Sequence, residues 1–130
     1  MPVRSLNSFV LVWPDRAQVE RAAREWAAAV ARDRRGVRRI GYFGSYANGT
    51  WGVGSDLDLV AVVDAVTEPF ARRAVTWPLE ELPVPAEMLI FTPAEFERLR
   101  ARGDRFASIL SREVIWIWPG GGIEDNLAKG

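Results

Sequence analysis

Apolar and polar positions in this chain switch between a period of two and a period near 3.6. Residues 8–13, Ser-Phe-Val-Leu-Val-Trp, predict a short strand or extended arm. Pro14 and Asp15 then predict a helix start, with Asp15 as its cap. Val19, Ala22, Ala23, Trp26 and Val30 recur at helical spacing and should face a core. Arg16, Arg21, Arg24, Glu25 and Arg32 fall on the other faces. Trp26 lies on the apolar stripe and reads as packing rather than ligand binding.

Three apolar runs predict core strands: residues 37–43, 56–63 and 84–91. In the third, Met88 and Ile90 share one face, while Glu87, Leu89 and Phe91 share the other. After the second run, Pro69 suits the first turn of a helix reaching about residue 77, with Phe70, Ala74 and Trp77 inward. Pro78, Pro83 and Pro85 break up the segment between that helix and the third strand. Thr92, Pro93 and Glu95 spell a capping box, with a proline at the first helical position. Gly103 and Asp104 separate that helix from a shorter one, 105–111. Residues 114–118 predict a last strand or extended segment, with Trp116 and Trp118 on one face.

Composition narrows the chemistry. The length of 130 residues suits a single domain, 1–130, with a core over about 15–118 and a loose tail over 119–130. Seventeen basic and 17 acidic side chains balance, which argues against nucleic-acid binding by bulk charge. No cysteine is present, so disulfides and thiol chemistry are excluded, and an intracellular, cytoplasmic setting is expected. Histidine is also missing, which removes every mechanism and metal site built on imidazole. Any metal must then be oxygen-bound, which favours Mg²⁺, Mn²⁺ or Ca²⁺. The longest apolar runs are strand-sized, so neither a signal peptide nor a membrane span is expected. Arg32, Arg34, Arg35, Arg38 and Arg39 cluster around Gly36; a solvated loop is the favoured reading, phosphate, RNA or an acidic partner the sharper one.

The candidate chemistry lies in residues 44–59, between the first two strand runs. Gly44 and Ser45 offer a position without a Cβ, then free N–H groups and a hydroxyl, as a phosphate site requires. A short helix near Ser45 would aim its N–H groups at an anion. Asp56 and Asp58 fall on one face of the second strand, roughly 6–7 Å apart, where they can bracket hard cations. Ser55 is placed to orient or cap the turn before them. Trp51, in the intervening loop, is equally suited to stacking on a base and to covering the sheet edge. Solvated edge aspartates on a glycine-rich hairpin would be the bland account, but packing poorly explains two acids opening an apolar strand.

These residues resemble the signature of the polymerase-β-like nucleotidyltransferase superfamily, a Gly-Ser step followed at fixed distance by Ser-Asp-x-Asp. Gly44, Ser45, Gly49, Ser55, Asp56 and Asp58 match it, and Ala47 and Leu59 match the small "minimal nucleotidyltransferase" branch. The resemblance spans roughly residues 35–117 and implies an α/β (α+β) fold, a mixed sheet of about four strands flanked by helices. It also implies a third carboxylate on the strand before a Thr-Pro-x-Glu-Phe helix start. Glu87, ahead of Thr92-Pro93-Ala94-Glu95-Phe96, falls there, although the family more often carries Asp; an edge charge that blunts strand pairing is the other reading.

The implied reaction is nucleotidyl transfer, AMP from ATP being the expected case. Gly44, Ser45, Gly49 and Ser55 would bind the nucleotide, while Asp56, Asp58 and Glu87 would hold two Mg²⁺ ions, or Mn²⁺, and carry catalysis. Members of this branch are often paired with a helical HEPN toxin as its antitoxin, and some AMPylate it. The expected acceptor is therefore a hydroxyl on such a partner; membrane and nucleic acid are not expected partners, and assembly with further copies of the chain is left open. The alternatives are a non-catalytic partner-binding module of the same fold and an enzyme for a small, aminoglycoside-like acceptor.

Overall fold

The computed structural model of the chain describes residues 13–120. Residues 8–12 of the expected arm (8–13) and 121–130 of the expected tail (119–130) lie outside the described residues. Four strands form one mixed sheet in the order β3-β2-β1-β4. They are β1 (Val37–Phe43), β2 (Leu57–Val63), β3 (Ala86–Phe91) and β4 (Ile115–Trp118). β1 is antiparallel to both neighbours, and β2 and β3 run parallel. Among the described residues four α-helices flank the sheet: α1 (Arg16–Asp33), α2 (Ser45–Asn48), α3 (Pro93–Ala101) and α4 (Arg105–Glu113). No described helix is long and apolar enough to cross a membrane.

Helix α1 begins where its cap predicts. Asp15 accepts from the Gln18 N–H, and the Gln18 side chain accepts from the Asp15 N–H in return. Such a cap contributes about 1 kcal/mol. The buried stripe is Val19, Ala23, Trp26, Ala27 and Val30; Ala27 joins it and Ala22 is half-covered. It packs on the sheet face made by Ile40, Tyr42, Leu57, Leu59, Ala61, Met88 and Ile90. The opposite face, with Val60, Val62 and Phe91, is covered by Phe96 and Leu99 of α3 and Ala107 and Leu110 of α4. Thr92 and Glu95 form the expected capping box of α3. Strand alternation therefore divides two cores, one on each side of the sheet.

Several elements differ from the pattern reading. β2 begins at Leu57 rather than residue 56, and β3 begins at Ala86 because Pro85 precedes it. The helix expected over 69–77 is a single 3₁₀ turn, Phe70–Arg72, followed by further i→i−3 turns. Pro69 and Pro78 bracket only a short stretch, β-branched Val75 and Thr76 weaken it, and Trp77 turns inward to meet Trp26, 6.4 Å between ring centres. Phe70, expected inward, is 46% exposed. α4 runs to Glu113, two residues beyond expectation.

Trp116 and Trp118 do not share a face. Gly41 pairs with Trp116 and Ile40 with Trp118, so Ile117 is an extra residue in β4. A bulge of this kind breaks the alternation. Trp116 joins the α3 side, where its ring meets Phe96 at 5.9 Å, and Trp118 packs on the α1 side. Gly41 makes this seat: a Cβ there would approach Trp116 Cε3 and the Ile115 carbonyl at 2.8 Å.

The arginine cluster is mostly absorbed by structure. Arg34 donates to the Thr76 carbonyl and hydroxyl and lies over Trp77. Arg38 pairs with Asp64. Arg39 lies 4.1 Å from the centre of the Trp116 ring. Three of the five cations thus fasten loops and edges, a structural role rather than the solvated loop expected.

Candidate active site

The site forms where three strands bring their ends together. β1 ends at Phe43, and the chain turns through Gly44 at φ +77° into α2. That φ is the reason for glycine, and a second reason lies across the turn. A Cβ on Gly44 would overlap the Asp58 carboxylate, so the backbone at Gly44 and this acid occupy adjoining space. β2 places Asp58 directly beside Phe43 on one flank and Glu87 of β3 on the other. All three point to the sheet face that α3 and α4 cover further along. Neighbouring strands lie about 4.8 Å apart, so Asp58 and Glu87 stand side by side.

Asp56 lies one residue ahead of β2, exposed, as is Glu87. Asp58 is part-buried. Burial pushes its carboxyl above the ordinary aspartate value, and the negative charges of Glu87 and Asp56 push it further. This crowding is what a bound cation would relieve. The donors are all carboxylate oxygens, hard ligands that suit Mg²⁺ or Mn²⁺. Among the described residues no three acidic side chains converge into a ready ligand cluster. The donor set therefore fits such an ion in kind, with Asp58 at its centre and the two exposed acids beside it.

The remaining candidates occupy distinct places in the same turn. Ser45 opens α2, whose N-terminus carries no side-chain cap, so its first N–H groups have no intrahelical acceptor. With only four residues α2 has little dipole, and anion binding would rest on those N–H groups and the hydroxyl. Gly49 ends α2 in the left-handed region at φ +89°, so its place is the turn itself. Ser55 closes the following loop: its hydroxyl accepts from the Gly52 N–H at 2.8 Å. Trp51 is stacked on Tyr46, 5.6 Å between centres and 13° between planes, and packs toward the core. Of its two readings, covering the sheet describes its position.

Residues beyond the motif complete the walls. Phe43 meets Phe106 of α4 edge-on at 6.1 Å, and Asn48 reaches Glu113 at the far end of α4. From the other side, Arg16 at the start of α1 donates to the Tyr46 carbonyl and the Tyr42 hydroxyl. The pattern reading placed Arg16 on an outer face. The available signal was Tyr42, whose hydroxyl needs partners when buried; the Tyr46 carbonyl leaves no mark in the sequence.

A family model described as a nucleotidyltransferase domain matches residues 24–117, which include β1, β2, β3, all but the last residue of β4, and Gly44, Ser45, Gly49, Ser55, Asp56, Asp58 and Glu87. The chain belongs to the nucleotidyltransferase domain family. Solved structures share the fold. A candidate nucleotidyltransferase from Sulfolobus solfataricus is similar at TM-score 0.58 and 17% identity, over 84% of this chain and 85% of that one. A toxin–antitoxin with AMP-PNP is similar at TM-score 0.54 and 21% identity, over 80% and 78%. The toxin–antitoxin MntA-HpeT, in a mutant form, follows at TM-score 0.51 and 17% identity, over 80% and 78%. No curated protein matches the chain. In this nucleotidyltransferase domain the Gly-Ser turn, Asp58 and Glu87 thus stand at one end of the sheet, on one face, with Asp56 just ahead of β2.

Proposed function

We propose that the chain transfers a nucleoside monophosphate, AMP from ATP, to a hydroxyl on a partner protein, and that this partner is a HEPN-type toxin which it serves as antitoxin. One observation carries the reading: Asp58 stands between Glu87 and the Gly44 turn, so a triphosphate against that turn would bring its phosphorus atoms to the acids. The family supports nucleotidyl transfer. The choice of ATP draws on the AMP-PNP complex of similar fold, and the partner protein draws on the toxin–antitoxin assemblies of similar fold.

Gly44 admits the phosphates closely, and Ser45 offers them its N–H and hydroxyl. The acceptor oxygen attacks the α-phosphorus, an O–P bond forms, the bond to the β-phosphate oxygen breaks, and pyrophosphate leaves. Glu87, exposed at the β3 edge, is placed to receive the acceptor's proton. Divalent cations held by Asp56, Asp58 and Glu87 would supply charge stabilisation at the attacking and leaving oxygens.

The test is label transfer from α-³²P-ATP with Mg²⁺ and cell lysate as acceptor source, comparing wild type with Asp58→Asn. A protein band labelled by wild type and weakened at least about a hundredfold in the variant is the expected result. Absence of label in both, with Mn²⁺ and other triphosphates also tried, would overturn catalysis and leave a partner-binding module.

A further inference from the structure

Tyr42 and Tyr46 bracket Gly44, two residues before it and two after. Both are 1% exposed. A single guanidinium reaches both sides of the turn. Arg16 Nε donates to the Tyr46 carbonyl at 2.7 Å, and its Nη2 donates to the Tyr42 hydroxyl at 3.1 Å. The Tyr42 hydroxyl in turn donates to Glu20 at 2.8 Å, one helical turn along α1 from Arg16. Arg24 stands 3.6 Å from the same carboxylate.

Local energetics argue that Arg16 is not an incidental surface charge. It is the first residue of α1, where the helix dipole disfavours a cation. Its hydrogen bonds must offset that. One goes to the acceptor side of a hydroxyl that already donates to Glu20, the other to a carbonyl the helix does not serve. Within α2 the Gly44 carbonyl serves Ala47 and Asn48, and the Ser45 carbonyl serves Gly49 and Thr50. The Tyr46 carbonyl is the next in line, and Arg16 satisfies it. Tyr46 also carries the load onward: its ring stacks on Trp51 and its hydroxyl reaches the Ser55 carbonyl at 3.4 Å, just ahead of Asp56. Burial and the Glu20 bond push the Tyr42 phenol well above its ordinary range, so this donor stays protonated.

We propose that Arg16 is a positioning residue: a clamp from α1 that holds the Gly44-Ser45 turn and α2 in register with Asp58 for a nucleoside triphosphate. The proposal rests on the nucleotidyltransferase reading for its ligand, but its mechanical half can be measured without one.

The variants are Arg16→Met, which keeps length and loses the donors, and Arg16→Lys, which keeps the charge and loses the fork. Amide exchange is followed by NMR on the full chain, and MgATP affinity by equilibrium binding. Loss of a charged hydrogen bond predicts roughly tenfold faster exchange at Ala47, Asn48 and Gly49 in Arg16→Met, with Val60 and Val62 of β2 unchanged. MgATP affinity should fall about tenfold in the same protein, with Arg16→Lys between it and wild type. Unchanged α2 exchange would overturn the clamp. So would an acceleration shared equally by β2, since that is global destabilisation. Faster α2 exchange with no MgATP binding even by wild type would support the clamp and overturn the nucleotide reading.

Discussion

Asp58 concentrates opposed requirements in one side chain. It stands in a strand otherwise made of Leu, Val and Ala, part-buried, beside Glu87 and close to Asp56. Folding therefore works against its ionisation, and its carboxyl lies above the ordinary value in the native protein. Where folded pKa exceeds unfolded pKa, the ionised group opposes folding, and the penalty grows as pH rises past the unfolded value. Asp58→Asn should then stabilise the metal-free chain at pH 7, by no more than about 1 kcal/mol because solvent screens part of the charge, as removal of strained active-site charge often does. The gain should shrink as pH falls and vanish below the ordinary aspartate value of 3.8. Urea unfolding in EDTA at about pH 7 and about pH 3.5 measures both. A variant less stable than wild type at neutral pH would show that Asp58 serves packing or hydrogen bonding rather than charge storage.

At the scale of elements, the irregular stretch between β2 and β3 has its most-bonded polar tie to the sheet in one side chain, beside the Phe70–Phe91 and Trp77 contacts. Arg73 donates to Glu95 through both arms, at 2.7 and 3.0 Å, to the Ile90 carbonyl at 2.9 Å and to the Glu68 carbonyl at 3.2 Å. Its side chain is only 10% exposed. The Arg73 bonds, with the Thr92 N–H, hold the Glu95 carboxyl down to about 2. A depressed folded pKa means stability present above the ordinary value of 4.5 and lost as pH falls through about 2. Glu95→Gln keeps the oxygen that caps α3 and removes the charge. It should cost about 1 kcal/mol at pH 7, the carboxylate being partly screened by solvent, and nothing once wild type is protonated. Chemical denaturation across that range is the measurement; a cost independent of pH would mean that shape rather than charge holds the stretch. The capping box was legible because its residues are three apart in sequence. The Arg73–Glu95 pair, 22 residues apart, and the Arg16–Tyr46 contact, 30 apart, left no periodic trace.

Across the whole molecule, the features readable from sequence were those that obey a local period. The strand segments and the α1 stripe do; the mixed sheet was implied by the family resemblance alone, and Asp56 lies one residue ahead of the strand whose alternation it was expected to share. The bulge at Ile117 obeys no such period, since one extra residue in β4 separates Trp116 from Trp118 while leaving the hydrophobic pattern intact. Glu87 beside Asp58 needed the parallel register of β3 on β2, a long-range pairing for which the resemblance had only supplied a place. Cohesion is uneven for the same reason. β1 and β2 are central, hydrogen-bonded on both edges and buried on both faces. Residues 65–77 hold themselves by i→i−3 bonds, expose Phe70 and Val75, and touch the body through Arg73, Arg34, Phe70 on Phe91 and the inward Val66, Ala74 and Trp77. Opening that stretch breaks few buried contacts, whereas opening β2 breaks both cores. Exchange followed by mass spectrometry should therefore label 65–76 at least about a hundredfold faster than 58–62 under native conditions. Glu95→Gln should widen that gap, because the stretch loses its tie while β2 keeps its neighbours. Equal protection of the two segments would mean that the 3₁₀ turns are locked by contacts as strong as the cores themselves.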